Sequence, residues 1–160
     1  MKYYIVKDLV SLNSGFSIKN ENNIEEYRFS SPIITITSKA TMIDTDGNEV
    51  AKIERKLLNF LPKYDVYMNN TLAFTIKMEV KVGQYLYTLS NGYRVEGDAR
   101  GLHFTIFDEN NKQISIITKE ILSANRKCEV SILDPDKKKI ILIIAKIVAL
   151  PSDFKDNSSN

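Results

Sequence analysis

At 160 residues, 43% hydrophobic and 26% charged, the chain has the composition of one globular domain, able to bury about 68–70% of the surface its unfolded form exposes. A net charge of +2 excludes the strongly basic balance of a nucleic-acid-binding domain, and a single cysteine, Cys128, excludes an internal disulfide. The N-terminus MKYYIVKDLV lacks the apolar core of a secretory signal, and the longest apolar run, Ile140 to Leu150, falls short of the ~20 residues that span a bilayer. The expectation is a cytoplasmic protein that is not transmembrane.

In chain order, short β-branched and aromatic runs alternate with Asn, Asp, Gly and Ser clusters, the pattern of strands joined by tight turns. YYIVKD (3–8) turns at Asn13-Ser14-Gly15 into FSIKN (16–20), and Asn20 to Asn23 turns again. Pro32 sits where a central strand would be interrupted. ATMID runs into the turn Asp44-Thr45-Asp46-Gly47-Asn48, and VAKIERK resumes with Val50 and Ile53 inward. KYDVYM, LAFTIKMEV, YLYTL, GYRVEG, LHFTIFD, ISIITKE and KCEVSIL follow at spacings of about 8–12 residues, a rhythm that favours a sandwich or barrel. KKKIILIIAKIVALP breaks the alternation. It must be buried all round, as a β-branched strand or as a helix about 20 Å long that could thread a small barrel. Pro151 ends it, and 151–160 reads as a polar tail.

Residues 42–68 are echoed at 106–132, 64 positions later. Asp44 meets Asp108, Leu58 meets Leu122, Lys63 meets Lys127 and Val66 meets Val130. A weaker echo upstream relates Tyr27-Arg28-Phe29 to Tyr93-Arg94-Val95. One supersecondary block used twice predicts a single domain over 1–150 with halves of about six strands, about 1–82 and 83–150. Joining the halves into a closed barrel would remove exposed strand edges.

The side chains offer little chemistry. Asp44 to Asn48 resembles the start of a calcium loop, but position 6 is Glu49 instead of Gly and position 12 is Arg55 instead of Glu, so a hairpin turn with Gly47 at positive φ is expected. His103, the one histidine, alternates with Leu102 and Phe104 as an ordinary strand residue. No GxSxG motif supports a Ser–His–Asp triad, and one His with one Cys is too few for a structural zinc site. Cys128 replaces Tyr64 of the first copy and reads as a buried hydrophobe. GYRVEGDARG matches no phosphate-binding glycine motif; Gly92, Gly97 and Gly101 read as turns at the ends of a short strand, with Glu96 and Asp98 beside it. Basic residues cluster at Lys52, Arg55 and Lys56, at Lys77 and Lys81, and at Lys137, Lys138 and Lys139.

YIVKDLVSLNSGFSIKN, IDTDGNEVAKIERKLLNFLPKYDVY, YRVEGD followed by FTIFD, ITKEILSANRKCEVSI and the closing IILIIAKIVAL together resemble the LURP-one-related (LOR) family of the tubby C-terminal-like superfamily, over residues 2–150. The resemblance implies a closed, twelve-stranded antiparallel β-barrel around a central hydrophobic C-terminal helix. On that fold Lys146 should lie at a barrel mouth or find a carboxylate, since an unpaired buried charge is costly. Tubby-like proteins bind phosphoinositides through exterior basic residues, and phospholipid scramblases share the fold. No residue-level match carries that site over.

The functional expectation is a non-enzymatic module without a cofactor, touching an anionic membrane surface or headgroup through Lys137, Lys138 and Lys139. The alternative is a protein-interaction or scaffold barrel, possible through tyrosines and Phe154. An enzyme has least support and would need Glu96, Asp98 and His103 gathered in a deep pocket. Ligand identity and oligomeric state are not legible in the sequence.

Overall fold

The computed structural model describes residues 1–8, 15–30, 39–58, 61–120 and 127–150. Asn13, Ser14, Pro32, Phe154 and the expected polar tail lie outside the described residues. Twelve strands follow in chain order: β1 (Lys2–Lys7), β2 (Gly15–Asn20), β3 (Glu25–Ser30), β4 (Lys39–Asp44), β5 (Glu49–Leu58) and β6 (Leu61–Met68). Next come β7 (Thr71–Lys81), β8 (Gln84–Leu89), β9 (Arg94–Gly97), β10 (His103–Phe107), β11 (Gln113–Glu120) and β12 (Lys127–Ile132). A single 3-10 turn, Pro135–Lys137, leads into helix α1 (Lys138–Ala149).

Each strand pairs antiparallel with its sequence neighbours, and β1 closes on β12 with Lys2 opposite Ser131 and Ile5 opposite Cys128. The result is the expected closed barrel, so each described strand has a partner on both sides. Alternation decides which side chains enter the lumen. Tyr3 and Ile5, Phe16 and Ile18, Ala40 and Met42, Ala51 and Ile53, Tyr64 and Val66 are buried, and their neighbours in sequence face out. The stretch EEYRFS carries a weak β signal in the sequence because Glu25, Glu26 and Arg28 dilute it. It forms β3 through buried Phe29 and through Tyr27, which packs against the core.

The lumen is filled by α1. Ile141 through Ala149 are buried on every face and share one core cluster with the inward strand residues. Its β-branched residues left strand and helix open, and topology decides between them. Every barrel strand already has two neighbours, so a segment inside the lumen can satisfy its N–H and C=O groups only within itself, as a helix. Lys146 lies near the helix C-terminus with 1% of its surface exposed. Its ammonium donates to the Leu150 carbonyl at 2.9 Å and stands 4.5 Å from the Phe16 ring centroid. A cation here also complements the negative end of the helix dipole.

The helix enters at the mouth formed by the β2–β3, β4–β5, β6–β7, β8–β9 and β10–β11 turns. Asp44 Oδ1 accepts the N–H groups of Asp46 and Asn48, and 64 residues on Asp108 Oδ1 accepts those of Asn110 and Lys112. Gly47 and Asn111 hold the matching position at φ of 84° and 64°. The register slips at corresponding places too, between Met42 and Ile43 and between Ile106 and Phe107. Gly97 is not a turn residue: it ends β9, where a Cβ would meet Phe104 Cδ1 at 2.6 Å.

Candidate anion-contact site

The three consecutive lysines do not form one surface. They sit at the N-terminus of α1, the positive end of its dipole, where cations are disfavoured and carboxylates favoured. The entry-mouth turns supply those carboxylates. Lys137 Nζ is 3.1 Å from Asp108 Oδ2 and 3.8 Å from Glu109 Oε2, with the Tyr93 ring centroid at 5.1 Å. Lys138 Nζ donates to Glu26 Oε2 at 3.0 Å and to the Tyr3 hydroxyl at 3.3 Å. Burial alone would raise the Glu26 carboxyl, but hydrogen bonds from Lys138, Tyr3 and Asn20 hold it below its ordinary range. Burial likewise acts upward on Asp108 and is outweighed by the Lys112 N–H and by Lys137. Lys139 is exposed and has no short ion pair among the described residues; the Asp44 carboxyl, held low first by hydrogen bonds from Asn48, also feels its charge. The surrounding turns carry Glu21, Asp46, Asp134 and Asp136, so the mouth as a whole is rich in acid.

A second basic group appears only once register is known. Lys56 on β5 lies opposite Lys63 on β6, and Lys63 lies opposite Lys77 on β7. The row continues through Thr88 to Arg94. All are on the outer wall, because Ile53, Tyr64, Ile76, Tyr87 and Val95 take the inward parity. Below the row is Asp65, 4% exposed. Its carboxylate takes Lys56 Nζ at 2.6 Å, Lys63 Nζ at 3.3 Å and the Thr75 hydroxyl at 2.8 Å. Burial pushes the Asp65 carboxyl upward, but the bonds from Lys56, Thr75 and Lys63 prevail and hold it low. Lys77 is exposed and, among the described residues, has no ion pair.

The other basic expectations divide. Lys52 and Lys56 face outward, whereas Arg55 has the inward parity of Ile53, so that cluster is not one patch. Lys52 pairs with Glu49 at 3.2 Å. Lys81 is exposed on the same wall as Lys77.

Glu96, Asp98 and His103 are each engaged locally. Glu96 accepts from Arg94 Nε at 2.9 Å. Asp98 takes the Leu102 and His103 N–H groups, which lower its carboxyl as a turn-forming carboxylate. His103 is exposed beside Thr118, with Nδ1 3.5 Å from the hydroxyl. A groove of about 330 Å³ does open on the outer wall around Tyr4, Lys19 and Lys127. Its charge is mixed: Glu21 joins the lining, and Lys127 is tied to Glu120 at 3.2 Å while covering the Tyr4 ring. Cys128 is fully buried, and burial pushes its thiol up to about 12, as befits a core residue.

Fold and site together define a helix-filled antiparallel barrel whose exposed chemistry, among the described residues, lies on the outer wall and at the entry mouth. The family model for LOR, LURP-one-related, matches residues 1–151, and the chain belongs to that family. It is similar to the uncharacterised protein YxjI of Bacillus subtilis, 19% identical over 120 residues and covering 74% of each chain. It is also similar in fold to the X-ray structure of the Arabidopsis thaliana protein AT5G01750. That match has a TM-score of 0.61 at 13% identity and covers 92% of this chain and 91% of the other. Among the described residues, no helix is long and apolar enough to cross a membrane.

Proposed function

We propose that the protein is a non-enzymatic, cytoplasmic binding module whose basic exterior contacts anionic lipid or phosphate headgroups. The filled lumen supports this reading most: with α1 occupying the barrel, ligands are left the outside. There, Lys139, Lys77 and Lys81 are exposed and have no short ion pair among the described residues. Each Lys or Arg near an anionic membrane surface contributes ~1 kcal/mol, so a few suffice for reversible association.

The three-lysine mouth stays a candidate contact through Lys139, with Lys137 and Lys138 as its base. Charge reversal of all three would also break the ion pairs to Asp108 and Glu26, so Lys139→Glu is the clean probe of the mouth alone, separating it from the outer-wall lysines. The test is flotation with neutral and anionic liposomes at low and physiological salt. Salt-sensitive flotation with anionic vesicles only is expected; absence of binding at both salts would refute the membrane-surface contact.

A second reading, a protein-interaction or scaffold barrel, draws support from the exposed apolar residues Met1, Ile24, Leu72 and Leu133 around the entry mouth. It predicts a concentration-dependent mass in light scattering or a stable co-purifying partner. A constant monomer mass with no partner would count against it.

A further inference from the structure

We infer that Lys56, Lys63 and Lys77 on the outer wall form a site for a phosphate monoester, held in place by the buried carboxylate of Asp65. The inference rests on the reading that the exterior contacts anionic headgroups, and it names the residues that make the contact.

The three lysines are successive cross-strand neighbours on β5, β6 and β7. Like charges directly opposite one another destabilise a sheet, so such a row needs anionic compensation. Compensation from the chain is incomplete. Asp65 is shared between Lys56 and Lys63, and Glu54, opposite Asp65 on β5, is paired with Lys39 at 2.9 Å and acts on Lys56 only through its charge. Lys77 has no ion pair among the described residues, and Glu79, two positions along β7, is the nearest acid of its strand.

Asp65 also makes this more than a solvated face. It is buried, fixed by the Thr75 hydroxyl, and anchors two of the three ammonium groups by short contacts. The rotamer entropy of Lys56 and Lys63 is therefore partly lost before any ligand arrives, which favours binding by preorganisation. Neighbouring strands are ~4.8 Å apart, so the row spans ~10 Å, within reach of one phosphate for three flexible lysine stems. Thr88, opposite Lys77, places a hydroxyl donor at the edge of the row. The entry mouth is the weaker rival. There Lys137 and Lys138 each have a carboxylate of their own, and acidic turns surround Lys139. On the wall, by contrast, one carboxylate serves both Lys56 and Lys63, and Lys77 has no ion pair among the described residues.

Two measurements on the whole chain test this and separate a lipid headgroup from a free phosphate ester. One is flotation with phosphatidylcholine vesicles with and without phosphatidic acid. The other is 31P line broadening of inorganic phosphate titrated with the protein. The variants are the triple Lys56→Gln/Lys63→Gln/Lys77→Gln, Lys77→Glu alone and Lys139→Glu. Lys77→Glu changes an exposed side chain that has no ion pair among the described residues and keeps the test valid if the triple variant folds poorly. Expected are a loss on the order of 100-fold in vesicle affinity for the triple variant, about 5–30-fold for Lys77→Glu, and little change for Lys139→Glu. Phosphate broadening that Lys77→Glu abolishes, without flotation, would support the site and assign it to free phosphate esters. Undiminished binding by both wall variants would overturn the site while leaving the exterior-contact reading intact. If the parent binds neither vesicles nor phosphate, both fall.

Discussion

At the scale of single residues, buried or half-buried carboxylates do most of the electrostatic work. Glu26 holds Lys138, Asp108 holds Lys137, and Asp65 holds Lys56 and Lys63. Glu26→Gln should lower stability by about 1 kcal/mol, the scale of a partly exposed ion pair with charged hydrogen bonds, measurable by thermal or urea denaturation. The pH dependence follows in sign. Glu26 and Asp65 have depressed folded-state values, so their contribution is complete above an ordinary carboxylate value of about 4 and is lost as pH falls through the folded value. Lys138 is shifted upward, so its contribution is complete below about 10.4 and is lost only as pH rises through its folded value. Melting temperature should therefore be flat between about pH 5 and pH 9 and fall in acid, with a shallower acid limb in Glu26→Gln. Cys128, buried with its thiol raised to about 12, should react with a thiol reagent only as fast as the barrel opens. Rapid labelling of the folded protein would contradict its placement in the core.

Among the elements, α1 and the hairpin turns show what sequence reasoning could and could not reach. The turn at Asp44 to Asn48 was readable because its geometry is local: an Asp accepting nearby N–H groups and a Gly at positive φ. Most strands were readable from alternation, and β3 was not, because its charged residues mask Tyr27 and Phe29. The Ile-rich run was ambiguous from propensity alone. Its helical state comes from being enclosed by a sheet with no free edge, and the family resemblance, not periodicity, anticipated it. Ile144, fully buried at the middle of α1, is a direct probe of that enclosure. Ile144→Ala should cost about 2–5 kcal/mol in chemical denaturation, the range for a core cavity. A cost near zero would mean that the helix is not packed in the lumen.

For the whole molecule, closure and filling confine any ligand contact to the exterior, and register decides which exterior charges meet. The three-lysine run was conspicuous in sequence, yet two of its members are held by carboxylates of the β2–β3 and β10–β11 hairpins, 112 and 29 residues away in the chain. Lys56, Lys63 and Lys77 were dispersed in sequence and are cross-strand neighbours in the barrel. No local pattern signals such a row; only the outward parity of Lys63 and Asp65 beside inward Tyr64 and Val66 hinted at it. The measurement that tests the account most directly is amide chemical-shift mapping of the 15N-labelled protein titrated with short-chain phosphatidic acid, using short-chain phosphatidylcholine as control. The account predicts salt-sensitive shifts for phosphatidic acid, concentrated on residues 54–58, 61–65, 75–79 and 86–88. Shifts confined to residues 134–139, or equal responses to both lipids, would contradict it.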